Sequence, residues 1–470
     1  MRFSKEFLSL GTLLFFYVAG VFAQSTEKPN IIYIYTDQQS ASMMSCAGNK
    51  WLKTPAMDYI AEHGVRFTRA YVTNPVCSPS RMSLMTGRFP SAFQDTTGQK
   101  VYENWGAMRV ATLPEAVREN SLPIRLKEAG YELVFGGKQH LPQPLTPETL
   151  GFKVISTNER EGLAAEAADY IKNKHSKPFF MVVSLINPHD ICYMAIRDFA
   201  ETEHEKLLVS KGVVETATLD KALVKPKGVS DEAFYTSYAP PLPPNFEPQI
   251  DEPQAIKALI AQRNFRKKAR EAYSEKDWRM HRWAYARLTE TVDQQVQTVL
   301  DAVRASGQEE NTLIVFSSDH GDMDGSHRME HKSTPYEEAT NVPFMMMWKG
   351  KIPAGVVDDT HLVSNGLDVL PTLTDYAGIP TQADKRGLSL KPLLEGGDDW
   401  RETLGVECEV GRMVVHKDGY KYIRYFGDEV EEQLLDLNRD PYETRHFTAS
   451  ADHTQILNDL RTAFETLWFD

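Results

Sequence analysis

The sequence predicts an α/β fold with a mostly parallel central sheet flanked by helices. Short continuous apolar runs, rich in β-branched and aromatic residues, are typical of strands buried on both faces. Four such runs occur along the chain, within PNIIYIYTDQQ, YELVFGGKQH, KPFFMVVSLINPHD and NTLIVFSSDHGD. Helical stretches lie between them, and strands that alternate with helices indicate a parallel sheet.

The clearest predicted helix precedes the fourth strand, and Ser306-Gly307 ends it. Its apolar residues repeat at helical spacing: Leu288, Val292, Val296, Val299 and Val303. After a boundary at LLEGGDDW, the runs GRMVVHKDGYKYIRYF and QLLDLNRDPYE predict hairpin strands around Asp418-Gly419, followed by a final helix. We therefore expect a main domain at residues 24–395 and a C-terminal subdomain at residues 396–470.

Residues from about 195 to 277 lose the alternation of strands and helices. They contain runs of charge and the proline cluster YAPPLPPNFEP, which predict a loop-rich insertion over one edge of the sheet. A plain linker is the alternative interpretation. Long irregular excursions in compact proteins often shape a binding site, so we favour the insertion.

Residues 1–23 are typical of a secretory signal peptide. Arg2 and Lys5 precede an apolar run at residues 8–22, and a cleavage site follows Ala23. A membrane anchor is the alternative, but the run is short for a span and polar residues interrupt it. We therefore expect an exported protein, periplasmic or secreted, with no stable membrane anchor.

Charge and cysteine content exclude some classes of protein. The formal net charge is −13, which argues against a nucleic-acid binder because phosphate backbones require clustered Lys and Arg. The four cysteines are too far apart for a small disulfide scaffold, and none forms a CxxC pair typical of zinc: Cys46, Cys77, Cys192 and Cys408. If Cys77 is reserved for chemistry, three cysteines remain and their pairing stays open.

Each of the four predicted strands is followed by residues that can carry chemistry. In chain order these are Asp37, then Lys138 with His140, then His189, then Asp319 with His320. Any one alone is more readily a helix cap, a surface charge or a buried histidine. In an open parallel sheet, however, ligands bind outside the carboxyl ends of the strands, so the four together predict one site.

Asp37, Asp319 and His320 together predict a divalent-cation site, because two hard carboxylates follow separate strands. Oxygen ligands favour Ca²⁺ or Mg²⁺, and Gln38 adds a carbonyl oxygen if it faces the site. Strand-end aspartates also cap helices, which is the alternative for either acid alone.

Cys77 stands at the start of a predicted helix, with Pro79 in the first turn and Gly87 at the end. A helix N-terminus attracts anions, and Arg81, one turn on, can hold an oxyanion with its planar fork. Lys138 and Lys332 would add positive charge. This arrangement favours displacement at a sulfate or phosphate, whereas a buried thiol or half of a disulfide is the plainer alternative.

The run CSPSRMSLMTGR resembles the signature of the type I sulfatases, C-x-P-S-R-x-x-L-x-T-G-R, of the alkaline-phosphatase-like superfamily. Further matches along most of the chain are PNIIYIYTD, GKQH, NPHD, SDHGD, HKSTPYEE, GLDVLPTLTDYAGIP, GLSLKPLL and LLDLNRDPYE. The resemblance implies an alkaline-phosphatase-like fold for the main, catalytic domain. It also implies a smaller α+β C-terminal domain on a short antiparallel sheet.

The resemblance further implies that Cys77 is oxidised to formylglycine (3-oxoalanine) by a formylglycine-generating or an anaerobic sulfatase-maturing enzyme. The hydrated aldehyde attacks sulfur through one hydroxyl and expels sulfate through the other. By the same resemblance, Ca²⁺, or alternatively Mg²⁺, would be held by Asp37, Gln38, residue 77, Asp319 and His320. The remaining implied roles are diol binding by Arg81, proton removal by His140, protonation of the leaving oxygen by His189, and sulfate binding by Lys138 and Lys332.

The chain departs from the family pattern at two positions. Gln38 replaces a second N-terminal acid, and His320 stands where many members have Asn, so the coordination number stays open. His327, within DGSHRMEHK, is assigned either to substrate contact or to the surface.

The function that this sequence favours is sulfate-ester hydrolysis on a sulfated polysaccharide or oligosaccharide. A phosphate- or phosphonate-ester hydrolase of the same superfamily is the nearest alternative, and the C-S-P-S-R context with two lysines favours sulfate. A non-catalytic glycan-binding protein is the alternative of another class. The presence of every catalytic residue argues against it.

Overall fold

The computed structural model describes residues 28–380, 386–427 and 429–469. Fourteen strands lie within these ranges: β1 (Asn30–Asp37), β2 (Val65–Phe67), β3 (Ala70–Tyr71), β4 (Glu132–Gly137), β5 (Lys153–Ser156), β6 (Phe179–Pro188), β7 (Thr312–Ser318), β8 (Phe344–Met347), β9 (Val356–Asp358), β10 (Val363–Ser364), β11 (Thr403–Cys408), β12 (Gly411–His416), β13 (Tyr420–Tyr425) and β14 (Glu432–Asp436).

The α-helices of the same ranges are α1 (Pro55–Glu62), α2 (Cys77–Thr86), α3 (Asn104–Met108), α4 (Glu115–Glu119), α5 (Leu122–Glu128), α6 (Leu163–Lys172), α7 (Tyr193–Phe199), α8 (Glu203–Lys211), α9 (Val213–Ala222), α10 (Asp231–Ser237), α11 (Gln254–Ala261), α12 (Asn264–Ala272), α13 (Glu275–Ala305), α14 (Glu337–Thr340), α15 (Val369–Tyr376), α16 (Lys391–Leu394) and α17 (Thr454–Phe469).

The central sheet has eight strands in the order β5-β4-β6-β1-β7-β8-β2-β9. The four strands predicted from sequence are the neighbours β4, β6, β1 and β7, and they pair in parallel. Among the described strands of this sheet, only β8 runs antiparallel to its neighbours, which are β7 and β2. The predicted α/β fold with a mostly parallel sheet is confirmed.

Both faces of this sheet are covered, which explains the continuous apolar runs. Alternate residues of β1 point to opposite sides: Tyr33 and Tyr35 pack in one core cluster, Ile32 and Ile34 in the other. Helix α13 covers the second face with the predicted stripe that includes Val292. It ends at Ala305, followed by Gly307 at φ 70°, as predicted.

The segment at residues 195–277 is not loop-rich, and that prediction is wrong. Helices α7 to α12 occupy most of it, and the proline cluster lies in the irregular stretch between α10 and α11. Each of these helices has at most ten residues, too few for a clear apolar period. A capping box of Thr202 and Glu205 is the local signal for α8.

The C-terminal part forms a four-stranded antiparallel sheet in the order β11-β12-β13-β14. The turn between β12 and β13 contains Gly419 at φ 85°, where the sequence predicts the hairpin. Val414 and Tyr422 pack against α17, while Met413 and Ile423 face the main domain. The predicted antiparallel sheet is confirmed.

Two further expectations concern export. The predicted signal peptide at residues 1–23 lies outside the described residues. No helix of the described chain has the length and apolar character needed to cross a membrane.

All four cysteines are free in the structure.

Candidate active site

The parallel topology brings the strand-end residues to one edge of the sheet. Thr36 of β1 pairs with Ser318 of β7, so Asp37 and Asp319 emerge side by side. On the other flank of β1, Asp37 is level with Pro188 of β6. The backbone N–H of Lys138 donates to the carbonyl of Ser184 on β6, which places the Lys138 side chain at the same edge.

Four ligand atoms from Asp37, Cys77, Asp319 and His320 lie within 4.8 Å of one another, and all four residues are buried. The Cys77 sulfur is 3.1 Å from His320 Nε2 and 3.7 Å from Asp37 Oδ1. His320 Nε2 is 3.5 Å from Asp319 Oδ1 and 3.7 Å from Asp37 Oδ1. The structure thus gathers side chains from β1, α2 and the end of β7 around one point.

This donor set fits a hard divalent cation. Ligands at right angles on Ca²⁺, at about 2.4 Å each, lie about 3.4 Å apart, which is close to the separations seen here. The ring N–H of His320 Nδ1 donates to the Gly321 carbonyl at 2.9 Å, so the Nε2 lone pair faces the cluster. The sulfur of Cys77 occupies the position that an oxygen of formylglycine would take.

Arg81, on α2 one turn beyond Cys77, is fully buried beneath this cluster. Its Nε donates to Asp319 Oδ2 at 2.7 Å and its Nη2 donates to Asp37 Oδ2 at 2.9 Å. Its Nη1 faces Tyr35 Oη, the Lys138 carbonyl and Ser184 Oγ at 2.9–3.0 Å. Arg81 therefore joins the two carboxylates, and one N–H of Nη2 has no acceptor among the described residues.

Two lysines flank the Cys77 sulfur. Lys332 Nζ is 3.1 Å from it, and Lys138 Nζ is 4.0 Å from it while donating to Asp37 Oδ2 at 2.5 Å. Burial and Asp37 oppose ionisation of Cys77, but Lys138, Lys332 and His320 hold its pKa well below the usual range. Burial likewise opposes ionisation of Asp37, and Lys138 leads the cations that keep its pKa low. The position therefore stabilises negative charge.

Gln38 lies against the cluster with its backbone at φ 72°. Its Nε2 donates to Asp322 Oδ2 at 2.5 Å, and its Oε1 accepts from Lys332 Nζ at 2.8 Å and from the Cys192 thiol at 3.0 Å. Both acceptor positions of this oxygen are thus occupied by protein donors. Gln38 orients Lys332 here, and its assignment as a metal ligand stays a prediction.

His140 and His189 are half-buried side chains, and His189 is an electrostatic neighbour of Asp37 and Cys77. The Nδ1 atom of each has no hydrogen-bond partner in the described part of the chain. Burial and Lys138 hold the pKa of His189 well below its usual range, although Asp37 acts in the opposite direction.

No contact among the described residues links His327 to the cluster around Cys77. It is buried, its ring packs on Tyr336 with centroids 4.4 Å apart, and its N–H donates to the Asn245 carbonyl. Its backbone has a positive φ of 55°. Substrate contact by His327 stays a prediction.

Sequence reasoning missed Asn104 at the start of α3. Its Oδ1 accepts the Ser78 backbone N–H at 3.0 Å, and its Nδ2 is 3.4 Å from His140 Nε2. It thus connects the helix that carries Cys77 to His140. No motif marks the residue, since it is the first residue of a helix of only five residues.

Comparison with known proteins decides the family. Residues 29–379 match the model of the sulfatases, and residues 325–468 match that of the C-terminal region of N-sulphoglucosamine sulphohydrolase. The chain belongs to the sulfatase family. It is a sulfuric ester hydrolase.

Similar proteins cover nearly the whole of this sulfatase. A Delta 4,5-hexuronate-2-O-sulfatase of Bacteroides thetaiotaomicron is 29% identical, over 95% of this chain and 90% of the relative. An N-acetylglucosamine-6-O-sulfatase of the same organism is 25% identical, over 94% of this chain and 86% of the relative. The solved structure of a putative sulfatase, also from Bacteroides thetaiotaomicron, superposes with a TM-score of 0.77 at 28% identity, over 94% of this chain and 92% of that one.

Proposed function

We propose that this sulfatase hydrolyses sulfate esters of a polysaccharide or oligosaccharide, using a formylglycine made from Cys77 and a bound Ca²⁺. The observation that carries the proposal is the surroundings of Cys77. Its sulfur lies within 4.0 Å of the two lysine ammonium groups, the Asp37 carboxylate and the His320 ring. The glycan sulfates named for two relatives support the choice of substrate class.

The cation would be held by Asp37, Asp319, His320 and residue 77, with Mg²⁺ as the alternative ion. Bound there, a divalent cation supplies Lewis acidity to a coordinated hydroxyl and to a sulfate oxygen. Formylglycine supplies, in its hydrated form, one hydroxyl to attack sulfur and a second whose deprotonation releases sulfate. Arg81 keeps both carboxylates in place because it binds each of them directly.

Lys138 and Lys332 would bind the sulfate oxygens, since both ammonium groups face the position of the attacking atom. The same two cations also act on His189. Burial is the main cause of its lowered pKa, and Lys138 and Lys332 lower that pKa further. A sulfate anion bound between them offsets their charge and raises the His189 pKa. Substrate binding would therefore favour the protonated ring that is needed to protonate the leaving oxygen. His140 would remove the proton that frees sulfate.

We further propose that the protein is exported, periplasmic or secreted, and is matured by a formylglycine-generating or an anaerobic sulfatase-maturing enzyme. The charge and apolar pattern of residues 1–23 supports export. The CSPSR run at the start of α2 supports maturation at Cys77.

The test is co-expression with a maturing enzyme, peptide mass analysis of residue 77 and assay of sulfate release from defined sulfated oligosaccharides. An aldehyde at residue 77 and release of sulfate are expected. The matched control is Cys46→Ala, which removes another free cysteine and should keep full activity. A thiol at residue 77 in active enzyme, or faster release of phosphate from matched phosphate esters, would contradict the proposal.

The cation has its own test. Chelation should abolish turnover and Ca²⁺ should restore it, and Ca²⁺ should also raise the melting temperature because it binds only the folded site. The second readout does not depend on activity. An unchanged melting temperature together with full activity after exhaustive chelation would remove the cation from the proposal.

A further inference from the structure

A recess opens beside Lys332 on the side of α12. Its lining includes four charged side chains: Arg266 of α12, Arg328, Glu330 and Lys332. Leu259 and Ile260 form its apolar side. The Phe265 ring packs on the His331 ring, with centroids 5.1 Å apart, and so fixes α12 against the loop that carries Lys332. Lys332 therefore lines the recess and also lies 3.1 Å from the Cys77 sulfur.

Arg266 is the unusual group in this recess. Its Nε is buried without a hydrogen-bond partner, and the guanidinium makes no hydrogen bond or ion pair with any described residue. The other basic residues of α12 are paired: Lys267 with Glu271, Lys268 with Glu201 and Arg270 with Glu252. Arg328, also in the recess, pairs with Glu247 at 2.9 Å.

Two carboxylates lie nearby without neutralising Arg266. Glu409, in the turn between β11 and β12, is its strongest electrostatic neighbour, and Glu330 lies against the His331 ring. Neither forms an ion pair with Arg266. Burial lowers the pKa of Arg266, but a guanidinium remains charged throughout the working pH range. A cation thus stands in a partly buried recess with a buried Nε that no described residue accepts, and an acceptor on a ligand would offset that cost.

The loop that shapes the recess is held in an uncommon backbone conformation. Five non-glycine residues between 324 and 333 have positive φ: Asp324, His327, Arg328, His331 and Ser333. Such residues cluster where the surrounding structure fixes a binding surface. The backbone of the loop beside the recess is therefore held in a fixed, uncommon conformation.

We propose that Arg266 binds a second anionic group of the substrate, a carboxylate or a further sulfate ester, next to the sulfate held by Lys332. A planar guanidinium suits either oxyanion, because both offer two oxygens to its fork. This inference rests on the proposed function. It narrows the substrate to glycans that carry two anionic groups on the same or adjoining sugars.

The test compares Arg266→Ala with Lys267→Ala, a matched control that removes the same charge from the exposed side of α12. On a sulfated disaccharide with a uronate carboxylate or a second sulfate, Arg266→Ala should lower kcat/KM by about 10- to 100-fold, the usual loss of a charged hydrogen bond. Arg266→Lys should recover part of it. On an aryl sulfate with no second anion, all three variants should stay within about twofold of the wild type.

Changing the substrate identifies the anion. If it is the carboxylate, reducing the carboxyl to an alcohol should slow the wild type and abolish its advantage over Arg266→Ala. If it is a second sulfate, only removal of that sulfate should have this effect. An equal loss for Arg266→Ala on every substrate, or no loss on any doubly anionic glycan that the wild type hydrolyses, would overturn the inference alone. A wild type that hydrolyses aryl sulfate but no acidic glycan would overturn it together with the proposed substrate class.

Discussion

The site has two regions that treat polar groups in opposite ways. The first, here called the floor, is the sheet edge with Asp37, Cys77, Arg81, Asp319 and His320. Its charged groups satisfy one another: Arg81 bridges the two carboxylates and Lys138 donates to Asp37. The second, here called the wall, contains His140, His189 and Arg266. Each has a buried nitrogen without a partner in the described chain.

This difference indicates a division of labour. A dense hydrogen-bonded network holds its members in fixed geometry, so the floor is organised before any substrate arrives. An unpartnered buried nitrogen costs stability, and a bound substrate that supplies an acceptor or a donor would offset that cost. The floor would therefore perform the chemistry common to all sulfate esters, whereas the wall would distinguish one sulfate ester from another.

The largest effect should come from removing Cys77, the proposed source of the nucleophile. If residue 77 attacks sulfur as proposed, Cys77→Ala should lower turnover by about 10⁴-fold or more on every substrate, since the variant lacks that nucleophile. Circular dichroism and the melting temperature should change little because only one sulfur atom is lost. Unfolding comparable to that of a large core truncation would instead assign Cys77 a structural role.

The next effect should separate the wall from the floor. If His189 is the general acid, His189→Ala should cut turnover of a glycan sulfate by about 10²–10⁴-fold. It should harm an activated aryl sulfate much less, because a nitrophenolate leaves with little protonation.

His140→Ala provides the comparison. Release of sulfate from the enzyme is common to every substrate, so this variant should hydrolyse both the glycan sulfate and the aryl sulfate more slowly. The ratio of the two substrates within one variant is the measurement, so losses of stability largely cancel. Equal losses on both substrates for His189→Ala would show that His189 binds or positions sulfate.

A smaller effect on turnover, with a larger one on stability, should follow from Arg81→Met. The two buried carboxylates then lose their shared cation, which should lower the free energy of unfolding by about 3–5 kcal/mol. Turnover should fall by about 10²–10³-fold as their geometry relaxes.

The control for Arg81 is Arg401→Met, which breaks the ion pair of Arg401 with the buried Asp368 instead. That variant should also unfold more easily, but the folded fraction should keep the kcat of the wild type. If both variants lose kcat alike, general destabilisation explains the Arg81 result.

The floor and the two histidines of the wall were predictable from sequence, whereas Arg266 was not, for a physical reason. Strands covered on both faces appear as continuous apolar runs, and parallel pairing brings the residues after them, such as Asp37 and Asp319, to one edge. Gln38 shows the limit of this reasoning, because its positive φ and its bond to Lys332 depend on the folded backbone. Arg266 and Asn104 lie on short helices with no motif, so only tertiary packing reveals them.

The smallest effect should come from Asn104, which joins the floor to the wall. Its Oδ1 accepts the Ser78 N–H beside Cys77, and its amide faces His140 Nε2. Asn104→Ala removes both contacts and should cost about 0.5–2 kcal/mol of stability, as for a lost helix cap, and about tenfold in kcat/KM.

The conservative variant distinguishes the two contacts of Asn104. Asn104→Asp keeps an acceptor for Ser78, so the melting temperature should stay near that of the wild type. It replaces the amide that faces His140 with a carboxylate, so only the contact with His140 changes. Asn104→Asp should therefore lose kcat/KM about as much as Asn104→Ala while keeping its stability. Full kcat/KM in Asn104→Asp, or equal loss of stability in both variants, would mean that Asn104 only supports the helix.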